Sequence, residues 1–261
     1  MEFNFSTDIK LIRNFENLSQ EELADILDIE QNRIASYEAN KIYPSKQLLE
    51  NFYSYAYKKD IHLNKLKEMN YLENISSNHK LLFHGAKDEI TSNIDIYHSR
   101  FNNDFGNGFY ARESYTQSAS FVSAFESSIV YILDFDTSNL IYHQYNVDTD
   151  WMMTIAYYRE TLNEYEQTEY IQKLVKESSI CDYIIAPIAD NRMFRIINSY
   201  ISGEITDEQC KHALAAINLG YQYVFKTDKA VKQIKIVEKL YLSKEEKKQF
   251  SKRKNRFFKT R

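Results

Sequence analysis

Near the amino terminus, apolar positions recur at the three- and four-residue spacing of an amphipathic helix. Leu23, Ile26 and Leu27 share one face of a predicted helix capped by Ser19, and Glu22, three residues after the cap, completes a capping box. Asp28-Ile29-Glu30 breaks this spacing, and a second short helix is predicted over about residues 31–38, with Pro44 opening the next. This is the pattern of a helix-turn-helix. Residues 66–80 then pass from helical spacing into a Ser/Asn cluster that marks a boundary.

Beyond the boundary, short apolar runs alternate with helical stretches. KLLFHGA, GFYAR, SIVYILDFD, LIYHQY, DYIIAPI, YQYVFKT and KQIKIVEKLYL read as strands, and helices are predicted over about residues 114–126, 150–177, 190–202 and 206–217. The chain contains neither G-x-G-x-x-G nor G-x-x-x-x-G-K-[ST], so neither a Rossmann unit nor a P-loop is indicated. The expected architecture is an all-α domain over residues 1–65, a linker over 66–79, an α+β domain over 80–242 and a basic tail over 243–261.

Composition sharpens this picture in three respects. Twenty-one tyrosines and sixteen phenylalanines supply large rigid surfaces for a core, and two prolines and five glycines leave little material for long flexible linkers. Cys181 and Cys210 lie far apart and match no metal or redox spacing, so they read as ordinary thiols, and no metal site is expected. No apolar run is long enough to span a membrane, and the opening MEFNFSTDIK lacks the order of a secretion signal, so a cytoplasmic protein without a membrane partner is expected.

The net charge of −4 is unevenly placed. From Ser243 onward there are nine Lys/Arg against Glu245 and Glu246, which suits contact with phosphates or an acidic partner as well as it suits a solvated helical end. Residues 1–70 instead carry nine basic and twelve acidic side chains. A net acidic module binds DNA weakly unless it dimerises or borrows basic residues from elsewhere.

Two of the five glycines, Gly106 and Gly108, flank Asn107 just before Phe109 and Tyr110. Such a pair gives the backbone access to positive φ or lets a ligand approach closely, and Tyr110 offers an aromatic face; a bulged turn into a strand is the plainer reading of the same residues.

Ser19-Gln20-Glu21-Glu22-Leu23-Ala24, Ile29, Ile34, Tyr37-Glu38 and Pro44 resemble the Cro/lambda-repressor-like (Xre) DNA-binding family over residues 6–65. The resemblance implies that Gln31, Asn32, Arg33 and Ser36 face DNA, as the second helix of that motif enters the major groove and Gln or Asn pairs bidentately with adenine. The sequence departs from the family at Glu30, where a capping Ser or Thr is common. A protein-docking use of the same fold stays open.

LLFHGA, DFGNGFY, DYIIAPIADNRMF, YISGEIT and QYVFKTDKA, in this order, resemble a bacterial ADP-ribosyltransferase-like family over about residues 80–237. Its His-Tyr-Glu branch binds NAD in a split-sheet cleft. The resemblance implies that His84 bonds a nicotinamide-ribose hydroxyl, the Gly85 backbone grips the carboxamide, Tyr110 stacks on the nicotinamide ring, and Gly108 lies close to the ligand. The third position falls on Gln222, which has no charge to stabilise an oxocarbenium-like state and cannot act as a general base. Arg100 is a candidate for the NAD pyrophosphate, with Asn103 and Asp104 beside it, and Asp190 and Arg192 are expected to pair and hold a loop.

Together the two resemblances imply an NAD-dependent mono-ADP-ribosyltransferase that modifies a protein or nucleic acid, a toxin or phage-defence effector with a helix-turn-helix control module. The alternative is a transcription regulator that senses NAD or an ADP-ribose derivative without turnover. The expected partners are NAD, a macromolecular acceptor, DNA, an antitoxin or other protein, and a second copy of the chain, since repressor-like modules usually act as dimers.

Overall fold

The computed structural model describes residues 2–162, 165–215, 217 and 219–259, with side chains through residue 251. It opens with five helices, α1 (Phe5–Phe15), α2 (Gln20–Leu27), α3 (Gln31–Glu38), α4 (Lys46–Lys58) and α5 (Leu63–Glu73). Ser19 and Glu22 form the reciprocal capping box of α2, and Asp28 ends it with a left-handed φ of 55°. Ser45 caps α4 through the Leu48 N–H. The apolar faces of these helices close on Ile9, Ile12, Leu23, Ile34, Tyr37 and Phe52, all essentially buried.

Residues 66–73 continue α5, so the connection to the next element is shorter than the predicted linker. A mixed sheet of seven strands follows: β1 (His79–Ala86), β2 (Phe109–Arg112), β3 (Ile129–Asp136), β4 (Tyr142–Gln144), β5 (Tyr183–Pro187), β6 (Tyr221–Phe225) and β7 (Ile234–Tyr241). Their spatial order is β4-β5-β6-β2-β1-β3-β7, and the β4–β5 pair is parallel while the others are antiparallel. Interleaved with them are α6 (Tyr115–Val122), α7 (Thr149–Tyr158), α8 (Glu169–Ser179), α9 (Asn191–Ile201), α10 (Asp207–Ala215), α11 (Asp228–Val231) and the closing α12 (Lys244–Lys259). The chain is thus α+β.

Strand alternation divides the core. Leu133, Phe135, Tyr183, Tyr223 and Phe225 fill one face of the sheet. On the other face, Phe83, Val130 and Ile132 pack under α6 and α12, while Ile184, Ala186 and Val224 pack under α7 to α10. The single helix predicted over 150–177 is two helices, because Glu160 takes a left-handed φ of 58° after α7. The break lets Trp151 and Ile155 of α7 and Ile171 and Leu174 of α8 bury against one another, which one straight helix would not allow.

The helical part is docked on the sheet edge. The Tyr241 ring stacks on Tyr53 at 5.2 Å and its hydroxyl donates to Glu50 at 3.0 Å. Lys67 of α5 lies 2.6 Å from carboxylate oxygens of both Asp8 in α1 and Glu238 in β7. The segment expected as a basic tail is largely α12, which packs on α4 and α6 and buries Phe250 and Glu246. Lys247 is spent on the carbonyls of Phe125 and Glu126, and the side chains of residues 252–261 lie outside the described residues. No described helix is long and apolar enough to cross a membrane.

Candidate functional site

The central strands separate at one point. β1 pairs with β3 along its whole length, from His79 to Ala86, but meets β2 in register only where Phe83 lies opposite Arg112. Past that point β1 and β2 diverge, and the gap opens into a cavity of about 630 Å³ lined by His84, Gly85, Asp104, Gly108, Tyr110, Arg112, Phe121 and Gln222, among others.

His84 bridges the gap. Its Nδ1 is 2.6 Å from the carbonyl oxygen of Tyr110, and its ring stacks on Phe109 at 4.4 Å. A carbonyl only accepts, so Nδ1 carries the hydrogen and Nε2 holds the lone pair. Burial pushes the imidazole pKa down and the nearby Arg112 charge adds to this, against the Tyr110 carbonyl bond, so the ring is neutral at physiological pH. A neutral ring of this tautomer is an acceptor for a ligand hydroxyl.

Tyr110 is held rigidly. Its hydroxyl donates to the Gly106 carbonyl at 2.8 Å and accepts the Phe105 N–H at 3.2 Å, which ties the ring to the loop before it. Lys226 braces the same loop with bonds of 2.5 and 2.8 Å to the carbonyls of Phe105 and Asn107, and its burial lowers its pKa to about 8. The glycines in this loop have separate reasons. Gly106 has φ +70°, and a Cβ there would lie 2.9 Å from the Tyr158 ring; a Cβ at Gly108 would lie 2.8 Å from the Phe225 carbonyl. Both are required by the packing of the loop on its neighbours. Gly85 lets α6 approach β1, for a Cβ would lie 2.8 Å from the Ser118 carbonyl oxygen.

Gln222, opposite Arg112 in the β2–β6 ladder, is buried with its amide fixed. Nε2 donates to Asp104 Oδ2 at 2.8 Å and to the Pro187 carbonyl at 3.3 Å. Neither partner donates, so the amide cannot turn over, and among the described residues nothing donates to Oε1 of this cavity-lining side chain. Asp104 Oδ1 receives Arg159 through Nε at 2.9 Å and through Nη2. Arg159 also donates to the Ala189 carbonyl and rests on the Phe194 ring. This chain from Arg159 through Asp104 to Gln222 joins α7, the glycine loop and β6, and its Arg159 member has no signature in the sequence.

The cavity holds His84, Gly85, Gly108, Tyr110 and Gln222 together, with Asn103 and Asp104. Arg100 is different: it is exposed and not among the lining residues, whereas Asp104, four residues on, is buried and lines the cavity. Lys87, also in the lining, is exposed; the sheltered cation of the cavity without a hydrogen bond or ion pair among the described residues is Arg112, whose Cζ lies 4.6 Å from the centroid of Phe121. Its alternation with Tyr110 along GFYAR is the signal that would have found it. Asp190 and Arg192 do not pair through their side chains; Asp190 instead caps α9 by accepting the N–H groups of Arg192 and Met193. Among the described residues no group of three or more His, Cys, Asp or Glu is placed to hold a metal ion.

A second exposed surface lies on α3. Gln31, Asn32 and Arg33 are exposed at its first turn, and Arg33 donates to the Tyr37 hydroxyl at 2.9 Å. Ser36 is half-buried and its hydroxyl donates to the Asn32 carbonyl. Glu30 stands at the N-cap without a side-chain capping bond.

Neither curated proteins nor solved structures provide a match to this chain. A family model does, the one described as "Protein of unknown function (DUF3990)", over residues 81–236. The matched region runs from β1 into β7 and contains the whole cleft, while the five leading helices and α12 lie outside it. The stretch that builds the divided sheet and its cavity is therefore the stretch by which this chain belongs to the DUF3990 family.

Proposed function

We propose that the cleft binds NAD and that the chain is an NAD-dependent mono-ADP-ribosyltransferase acting on a protein or nucleic acid. The observation that carries the reading is the convergence of His84, Tyr110 and Gln222 on one cavity where β1 and β2 part. His84 Nε2 accepts a nicotinamide-ribose hydroxyl, Tyr110 supplies a rigid platform for the nicotinamide ring, and Gln222 Oε1 accepts a second ribose hydroxyl. In the reaction the bond from ribose C1′ to the nicotinamide nitrogen breaks, nicotinamide leaves with the bonding pair, and the acceptor's nucleophile forms the new bond to C1′ and gives up its proton. The residues of the cleft hold both reacting groups in line, and orientation of this kind supplies much of a barrier reduction. The acceptor brings its own base.

In this reading the exposed Gln31, Asn32 and Arg33 of α3 meet DNA or a regulatory protein, and the chain acts as a toxin or phage-defence effector under that control. The sensor alternative has a specific observation in its favour: Asp104, the carboxylate beside Gln222, is engaged by Arg159 and by Gln222 itself, which leaves it no lone role near a developing cation.

Incubation of the protein with NAD and cell lysate tests the proposal, with nicotinamide release and ADP-ribose incorporation followed together and Tyr110→Ala as control. A transferase gives both signals, and the variant loses both. NAD binding without either signal moves the conclusion to the sensor, and absence of NAD binding overturns both.

A further inference from the structure

Among the described residues, Arg112 is the sheltered cation of the cavity lining that no oxygen meets; Lys87, also in the lining, is exposed and lies over the Phe125 ring. Among the described residues Arg112 makes neither a hydrogen bond nor an ion pair; its Cζ lies 4.6 Å from the ring centroid of Phe121, which is itself 53% exposed. Several other sheltered cations of this chain are satisfied by oxygens: Lys67 by Asp8 and Glu238, Arg159 by Asp104, Lys226 by two carbonyls, Lys239 by Glu89. Asp104 acts on Arg112 only through space, since both its oxygens are already taken. Burial lowers the Arg112 pKa to about 10, where it still carries its charge at neutral pH. A half-buried guanidinium with all five N–H donors unspent is costly in the free protein and matches an oxyanion that arrives with a ligand.

We propose that Arg112, over the Phe121 ring, is an oxyanion subsite that takes a phosphoryl group of the cleft's ligand, the diphosphate of a nucleotide. Its place along β2 argues for this class. Arg112 follows Tyr110 by two residues on the same face of the strand, a spacing of about 7 Å. That is roughly the span of one ribose, so a ring on Tyr110 sets its 5′-phosphate at the guanidinium, whereas a carboxylate attached directly to the ring falls short of it. The Phe121 ring occupies none of the N–H donors as a hydrogen-bond acceptor, so they stay available for a bidentate contact.

The inference rests on a nucleotide occupying the cleft, and the test separates the two ideas. Calorimetry on the full chain would compare ADP-ribose, ADP, inorganic pyrophosphate and nicotinamide for wild type, Arg112→Lys and Arg112→Met. The expected result is that Arg112→Met weakens the phosphorylated ligands by about tenfold or more, the loss of a charge-assisted contact, while nicotinamide binding is unchanged. Arg112→Lys retains part of the affinity because it keeps the charge without the fork. Thermal unfolding of Arg112→Met should be unchanged or raised, as an unpaired sheltered charge is removed; a structural arginine would give the opposite. Unaltered affinity of Arg112→Met for ADP-ribose overturns the subsite. Pyrophosphate bound through Arg112 with no affinity for ADP-ribose or nicotinamide leaves the subsite standing and overturns the NAD reading. If wild type binds none of the four compounds, both fail.

Discussion

The amide of Gln222 donates to the Asp104 carboxylate at 2.8 Å, so the residue at this position is fitted to its neighbour as a glutamine. A carboxylate there would face a second carboxylate inside the protein, and one of the two would have to hold a proton. Gln222→Glu should therefore destabilise the fold by about 2 kcal/mol or more at pH 8 and by less as the pH falls, and it should not raise turnover. Combining it with Asp104→Asn, which supplies a donor, should recover part of the loss. Thermal unfolding of the two single variants and the double variant across pH measures the coupling. Greater stability or faster turnover of Gln222→Glu alone would show that Asp104 does not select the glutamine.

Tyr110 combines a ring and a tether, and the two separate experimentally. Tyr110→Phe keeps the ring but releases the Gly106 carbonyl and the Phe105 N–H, at a cost of about 1 to 3 kcal/mol in stability. NAD affinity, measured by calorimetry, should fall by less than about tenfold in Tyr110→Phe and be lost in Tyr110→Ala. Equal loss in both would assign the role to the hydroxyl rather than to the aromatic face.

Lys67 joins three elements, and removing its charge leaves Asp8 and Glu238 facing each other across the junction. Asp8 is fully buried, and its pKa is raised by that burial, against the opposing effect of Lys67. Lys67→Met should cost about 3 to 5 kcal/mol in chemical denaturation, as expected for a buried carboxylate that loses its cation. It should also loosen the helical part from the sheet, which limited proteolysis near residues 74–78 would detect as earlier cleavage.

Glu246 gives a pH dependence of known sign. Burial raises its pKa to about 7 against the lowering effect of bonds from the Tyr115 hydroxyl at 2.6 Å and from Asn64 at 3.0 Å. Its folded pKa lies above the unfolded value near 4.5, so the folded state holds the proton more tightly between those limits. Its contribution is complete below about pH 4.5 and is lost as the pH rises to about 7, by at most about 3 kcal/mol. Glu246→Gln should remove this slope. Parallel unfolding profiles for the two proteins from pH 5 to pH 8 would rule out the assignment.

Much of the fold was legible locally. The Ser19–Glu22 box, the break at Asp28 and the alternation in SIVYILDFD depend on residues within a few positions of one another, and the structure forms each of these elements where expected. The helix over 150–177 failed because the need to bury Trp151 against Ile171 and Leu174 lies outside any local window. Motif order is enough to name His84, Tyr110 and Gln222, but closeness in sequence to the glycines does not place Arg100 in the cavity, since neighbouring residues in a loop need not share a side of it.

By itself the sequence determined the all-α start, the α+β remainder, the strands and the residues most suited to a cleft, since caps, turns and periodicity act over one or two turns of chain. The tertiary structure alone decided that β1 and β2 part after a single paired position, that Asp104 and Arg159 orient Gln222, and that Arg112 stands beside them with no hydrogen bond or ion pair among the described residues. Those outcomes join residues as much as 118 positions apart, and they depend on which strands become neighbours in the sheet, a choice made by the burial of both its faces at once.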